Sequence, residues 1–194
     1  MTLPAPYPPL VSDGEGLDRY PSEPSALAAR MAAVYAVPAN QVLPIRGLTH
    51  GLELVWRLAV REGGSVEAPS AEPYDRLAAI YPAKGAPSVV VIRALGSPEA
   101  VAEVAARVAP ALLVVDEGLI EFSDSVSAAT VIADRSNLVV LRSLSLAHGL
   151  AGARVGAAIA QAEALGRLAS VLEPYALPEP LVRLAMQALD PSRM

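Results

Sequence analysis

Between Leu141 and Gly156 the chain reads L-R-S-L-S-L-A-H-G-L-A-G-A-R-V-G, and much of its capacity for chemistry gathers there. The stretch follows Asn137 to Leu141, an apolar run with the length and β-branching of a buried strand. Hydroxyls at Ser143 and Ser145, glycines at Gly149 and Gly152, and a cation at Arg154 are the parts of an anion cradle. The same residues would also serve as a strand, a small-residue turn and a second strand, Val155 to Ala160, with no chemistry at all. A second place is Asp116-Glu117, which ends the strongest apolar run, Ala111 to Val115. An acid there either faces a ligand or caps the following turn. A third is Gly47-Leu48-Thr49, which opens a helix and offers backbone N–H groups to an anion, or is simply capped by Thr49. His50 and His148 are the two groups that titrate near neutral pH, as general bases or as packed side chains.

Lysine occurs once, at Lys84, against fourteen arginines, so a reaction that needs an amine nucleophile has a single internal candidate. There is no cysteine, which excludes disulfides, thiolate nucleophiles and cysteine-type zinc sites, and two histidines leave little for any other metal site. The net charge of −5 and the lack of a basic cluster give no electrostatic footprint for nucleic acid and no polybasic membrane patch. No apolar run reaches transmembrane length, and the N-terminus lacks the charged and apolar regions of a signal peptide, so a cytoplasmic location is expected.

The elements that must position these groups follow from periodicity. Residues 1–16, rich in proline and glycine, read as an irregular arm, and residues 17–194 as one large domain. Helices are predicted over Ala26 to Ala36, with Ser25 or Ser22 as cap, from Gly47 to the Gly63-Gly64 break, over Tyr74 to Tyr81, and from Ser97-Pro98-Glu99 to about Val108. Gln161 to Leu172 and Leu181 to Leu189 complete the helices. Strands are predicted at Val42 to Ile45, Ser65 to Ala68, Ser88 to Ile92, Ala111 to Val115, Asn137 to Leu141 and Val155 to Ala160. Apolar strands alternating with helices predict an α/β fold whose parallel sheet is covered on both faces. In such a sheet ligands sit outside the carboxyl ends of the strands, where Asp116 and the Ser143 to Gly149 loop fall.

Two blocks carry a resemblance: V-V-D-E-G-L-I-E-F (Val114 to Phe122) and N-L-V-V-L-R-S-L-S-L-A-H-G-L-A-G-A-R-V-G (Asn137 to Gly156). With L-D-R-Y-P at Leu17 to Pro21 and E-P-Y-A-L-P at Glu173 to Pro178, they resemble histidinol-phosphate aminotransferases from about residue 17 to 190. The resemblance implies the type I fold of pyridoxal-phosphate enzymes, a three-layer large domain with a mainly parallel sheet, working as a homodimer. It implies that Asp116 pairs with the cofactor's pyridine nitrogen and that Ser143, Ser145 and Arg154 hold its phosphate. Gly47, Leu48 and Thr49 would hold the same phosphate through backbone N–H groups, and Tyr20 would reach across the dimer to the neighbour's cofactor.

The departures are as informative. The Schiff-base lysine of the family's S-x-S-K is Leu146 here, the tyrosine of its D-E-A-Y is Leu119, and the N-P-T-G loop is missing from a shortened Ile92 to Gly96 segment. The acidic and serine residues of the helix start are Leu48, Thr49 and His50, and the N-terminal Asn-Glu-Asn-Pro element is not recognisable. The family continues past the position of Met194 into a small C-terminal domain, which is expected to be absent. The combination predicts a relative without transaminase activity that keeps a remnant site for a small phosphate-bearing ligand, with pyridoxal phosphate held non-covalently if at all. The other readings are an active aminotransferase, a lysine-independent enzyme using His148 or His50, and a shortened member of the lineage with no function of its own. Apolar surface left open by the missing domain predicts a dimer or larger assembly.

Overall fold

Side chains alternate from face to face along a strand, so each apolar run feeds two cores at once. The computed structural model, which describes residues 14–93 and 96–193, shows this in the central strands. In β4 (Leu112–Asp116), Leu112 and Val114 enter one core while Leu113 and Val115 enter the other. In β5 (Leu138–Ser143), Val139 and Leu141 divide from Leu138 and Val140 in the same way.

The remaining strands are β1 (Val42–Ile45), β2 (Ser65–Glu67), β3 (Pro87–Arg93) and β6 (Gly156–Ala160). They form one six-stranded sheet in the order β1-β6-β5-β4-β3-β2. On one face lie α2 (Gly47–Arg61), α3 (Tyr74–Ile80) and α5 (Ala162–Ala169). On the other lie α1 (Ser25–Tyr35), α4 (Pro98–Val108), α6 (Glu179–Ala188) and the 3-10 turn Ala128–Asp134. The architecture is α/β in three layers.

The helix ends show which local signals act. Ser97 caps α4 by accepting from the Ala100 N–H, with Pro98 in the first turn. Neither Ser22 nor Ser25 caps α1, whose N-cap is Pro24, and Thr49 lies inside α2 rather than capping it. The serine-rich loop after Asp116 contains two 3-10 turns, Ile120–Phe122 and Ala128–Asp134.

One strand departs from the expected direction. β2 to β5 pair in parallel, but β6 is antiparallel to both of its neighbours, β5 and β1. The run Val155 to Ala160 follows β5 through residues 144–155, which form turns and no helix to carry the chain back across a face of the sheet, and the return runs antiparallel. Five of the six strands still run one way. Residues 1–13 of the expected arm and residues 94–95 of the shortened segment lie outside the described residues, while Gly14 to Gly16 enter a turn. Among the described residues no helix is long and apolar enough to cross a membrane.

Candidate functional site

The antiparallel β6 creates the site. β3, β4 and β5 end on the same sheet edge at Arg93, Asp116 and Ser143. Because β6 runs the other way, its beginning rather than its end lies on that edge. Gly156 is paired with Ser143 on one side and with Ile45 on the other. Arg154 therefore arrives beside Ser145 and beside the start of α2, which β1 delivers through Arg46. A parallel β6 would have carried Arg154 to the opposite edge.

The packing at this junction is close. A Cβ on Gly156 would lie 2.5 Å from the Arg142 carbonyl oxygen and 3.1 Å from the Cα of Gly47. Gly47 itself has φ of +77°, and a Cβ there would lie 3.2 Å from Nη2 of Arg154. The Arg154 backbone is also left-handed, at φ of +52°, a conformation that costs a non-glycine residue on the order of 1 kcal/mol or more. Its side chain is fixed by Nη1, which donates to Ser145 Oγ at 3.3 Å and to the Ala151 carbonyl at 3.2 Å. No carboxylate pairs with Arg154 among the described residues. The first N–H groups of α2, from Gly47 to Thr49, have no acceptor within their own helix. A strained arginine without a carboxylate, a hydroxyl and a helix start make an anion cradle. Ser143 is buried, and its Oγ accepts from the Ser145 N–H at 3.1 Å, so it shapes the turn that presents Ser145.

The cradle opens into a cleft of about 640 Å³ lined by Leu48, Thr49, Tyr74, Arg93, Asp116, Ser143, Ser145, Leu146 and Arg154, with Gly118 to Ile120 at its mouth. Asp116 lies on the floor. Its Oδ2 accepts from the Tyr74 hydroxyl at 2.5 Å and its Oδ1 from the Gly118 N–H at 3.0 Å. Burial, and then the bond to Asp116, pushes the Tyr74 phenol up to about 12, so Tyr74 is a standing donor at neutral pH. The Arg93 guanidinium lies 5.5 Å from the centroid of the Tyr74 ring. Leu146, half-buried, stands directly after Ser145 in the lining.

Alternation along the chain separates Asp116 from Glu117. Glu117 turns to the α1 side, where it is 1% exposed and accepts from Ser127 Oγ at 2.6 Å and the Ala128 N–H at 2.7 Å. Burial raises its pKa above the ordinary carboxylate value. It is a structural acid, bonding the loop that follows it.

The histidines do not line the cleft. His50 Nδ1 accepts from the Arg46 N–H at 3.0 Å, and its Nε2 lies 3.1 Å from Glu173, inside a network that includes Arg57, Glu53 and Tyr81. His148 is buried on the other side, within the fields of Glu121 and Arg142. Burial holds both below the usual histidine value. Lys84 precedes β3 and is exposed, so the whole strand, about 20 Å at the usual rise, separates it from the Arg93 end. Tyr20 is 80% exposed and stacks on Tyr175 at 4.8 Å, outside the cleft.

The cleft thus gathers Asp116, Ser143, Ser145, Arg154, Leu48 and Thr49, with Gly47 against Arg154, and omits Tyr20. Tyr74 and Arg93 are additions that periodicity alone hid. Tyr74 reads as an ordinary helix residue, while Arg93 is the first charge after the apolar run of β3 and so carried a strand-end signal.

Comparison with known proteins identifies the family and the fold. Residues 95–194 match the family of class I and II aminotransferases. Among curated relatives, histidinol-phosphate aminotransferase from Stenotrophomonas maltophilia is 34% identical over 93% of this chain and 60% of its own length. The chain therefore spans about three-fifths of that relative. Among solved structures, histidinol-phosphate aminotransferase from Sinorhizobium meliloti, in complex with pyridoxal 5'-phosphate, superposes with a TM-score of 0.79. It is 19% identical, and the match covers 93% of this chain and 58% of that one. L-threonine-O-3-phosphate decarboxylase from Porphyromonas gingivalis superposes with a TM-score of 0.76 at 20% identity, covering 89% of this chain and 63% of that one. The fold is shared with these structures, and by sequence the chain belongs to the class I and II aminotransferase family.

Proposed function

We propose that this chain binds pyridoxal phosphate, or a phosphorylated compound of that shape, non-covalently in the cleft and does not transaminate. The observation that carries the reading is Leu146. It occupies the lining next to an assembled anion cradle, and the only internal amine of the chain, Lys84, lies beyond the other end of β3. A leucine can neither form a covalent bond to a carbonyl carbon nor carry a proton, and covalent and acid–base catalysis each account for orders of magnitude.

The donor set suits the cofactor. Arg154, Ser145 and the first N–H groups of α2 would take a phosphate, and Asp116, held by Tyr74 and Gly118, would take a protonated ring nitrogen. When bound, pyridoxal phosphate supplies an electron-withdrawing ring. Ser143 keeps Ser145 in place, and Leu146 contributes only apolar contact. The reading extends to a homodimer, supported by exposed Leu17, Tyr20 and Tyr175 on one side and Leu119, Phe122 and Val126 near the cleft mouth.

Calorimetric titration with pyridoxal phosphate tests the proposal. Saturable binding is expected, weakened about tenfold or more by Arg154→Gln, which removes a charge-assisted contact. Borohydride should fix no adduct in the cleft, and no amine should pass from histidinol phosphate to a 2-oxoacid. Turnover, or an adduct mapped to a cleft residue, would overturn it. Light scattering at micromolar concentration tests the dimer.

A further inference from the structure

The backbone at the start of α2 is held by groups that do not line the cleft. Arg46, the residue before the helix, provides no side-chain cap of its own. Its N–H is taken by His50 Nδ1 at 3.0 Å, one turn into the helix. His50 thus replaces the carboxylate of a capping box, which reaches back in the same way to the N–H that precedes the helix. Glu173 holds Arg46 twice: Oε1 pairs with the Arg46 guanidinium, and Oε2 lies 3.1 Å from His50 Nε2. Arg46 leads directly into Gly47, where a Cβ would lie 3.2 Å from Nη2 of Arg154. A displacement of Arg46 therefore passes to the turn that completes the anion cradle.

These contacts fix the tautomer. Nδ1 accepts and carries no proton, while Nε2 carries the proton and donates to Glu173. A second proton can enter only at Nδ1, where it would face the Arg46 N–H, donor against donor. The His50 side chain is 4% exposed, so solvent supplies no ready replacement for the lost acceptor. The charged and titratable groups around the ring are Arg46, Glu53 and Arg57 of α2, Tyr81 after α3, and Glu173 beyond α5. Two arginines and two carboxylates balance while His50 is neutral. Burial holds the imidazole below the usual histidine value, against the pull of Glu173.

We infer that His50 is a positioning residue for the cradle and a proton-operated release. Neutral, it holds the first turn of α2 in place; protonated at Nδ1, it lets that turn go and weakens anion binding. The inference rests on the anion-binding reading of the cradle and adds a regulation to it. General electrostatics gives the opposite sign, because a chain of net charge −5 becomes more positive as pH falls and attracts anions more strongly.

The probe is sulfate, whose charge does not change between about pH 8 and about pH 5. It is titrated into the isotope-labelled full chain across that range by nuclear magnetic resonance. Affinity is read from the Gly47 and Arg154 amides, and protonation from the His50 ring, with His148→Gln separating the two histidines. The wild-type affinity should fall about threefold or more on acidification, the weight of one hydrogen bond. By reciprocity, saturating sulfate should lower the His50 midpoint by the same factor, about 0.5 on the pH scale for a threefold coupling. An anion acting on His50 through its charge alone would raise that midpoint. His50→Asn keeps an acceptor for the Arg46 N–H but takes no proton, so its sulfate affinity should not fall with pH. His50→Leu removes the acceptor and should bind sulfate more weakly than His50→Asn at about pH 8. A wild-type affinity that holds or rises on acidification overturns the inference and leaves the cradle standing. So does a His50 midpoint that sulfate leaves in place or raises, or an equal fall in His50→Asn. Sulfate that binds at neither end of the range overturns the cradle as well. Should the variants not fold, the two wild-type titrations still decide.

Discussion

Gly156→Ala tests the frame on which the cradle depends. Gly156 is the point where β6 enters between β5 and β1, and the added methyl would meet backbone on both sides: the Arg142 carbonyl oxygen at 2.5 Å and Gly47 Cα at 3.1 Å. The first distance is about 0.5 Å below the 3.0 Å that real Cβ atoms respect. Neither neighbour is a flexible side chain, so relief requires a shift of β5 or of the β1–α2 junction. Overpacking of this kind costs about 1–3 kcal/mol, which in a chain of this size lowers Tm by roughly 2–4 °C per kcal/mol. A shift of the junction moves Gly47 from Arg154, so inorganic phosphate should also bind more weakly. Gly152→Ala is the matched control in the same loop, where a Cβ would meet nothing within 4 Å and φ is not positive. It should be neutral or raise stability by about 0.4–1 kcal/mol through the unfolded chain. Thermal melts and phosphate titrations of the two variants give the comparison. If Gly156→Ala melts like the wild type and binds phosphate as well, the antiparallel entry of β6 does not hold the cradle together.

Leu146→Lys places an amine in the cleft lining and should yield a borohydride-fixed pyridoxal-phosphate adduct at position 146; a folded variant that binds the cofactor without an adduct would show that this position does not face the aldehyde. Tyr74→Phe removes the hydroxyl that donates to Asp116, and urea melts should show a loss of about 1.5–3 kcal/mol, against which a change within experimental scatter would count. His148 is held below its unfolded value of 6.5, so its contribution to stability is fully present above about pH 6.5 and disappears as pH falls through the folded value. Glu117, raised by burial, acts with the opposite sign: its contribution is full below about 4.5 and is lost as pH rises through its folded value. His148→Gln should therefore shrink the loss of stability between pH 7 and pH 5, and an unchanged pH slope in the variant would refute the assignment.

The parts of the fold that depend on local pattern were legible in the sequence. The Ser97-Pro98-Glu99 start of α4, the amphipathic spacing of α2 and the continuous apolar runs of β4 and β5 each state their own structure. The direction of β6 is not local. A run of small apolar residues reads the same in either sense, and its direction goes with the helix-free connection before it. The cradle was legible as a set of residue types, Ser145 and Arg154 above all, but their contact depends on that direction. Tyr74 was invisible for another reason: at the start of α3 it reads as an ordinary helix residue, yet it is core, 1% exposed, with only its hydroxyl reaching the floor of the cleft. By residue type alone Asp116 and Glu117 looked equivalent, the resemblance singled out Asp116, and the pleat separates them into a cleft residue and a buried support.

The position of β1 in the sheet also sets an order of assembly. β1 is made early, yet its partner is β6, and Val42 meets Ile159 across most of the chain. Within the sheet β1 has no strand partner until β6 is made, because the slot beside β5 belongs to β6. Closing so long a loop is slow and entropically opposed. The two halves of the cradle, Gly47 from the early segment and Arg154 from the late one, thus come together only when the sheet is completed. A phosphate-bearing molecule held at this junction would stabilise the finished sheet over any form in which the two segments are apart.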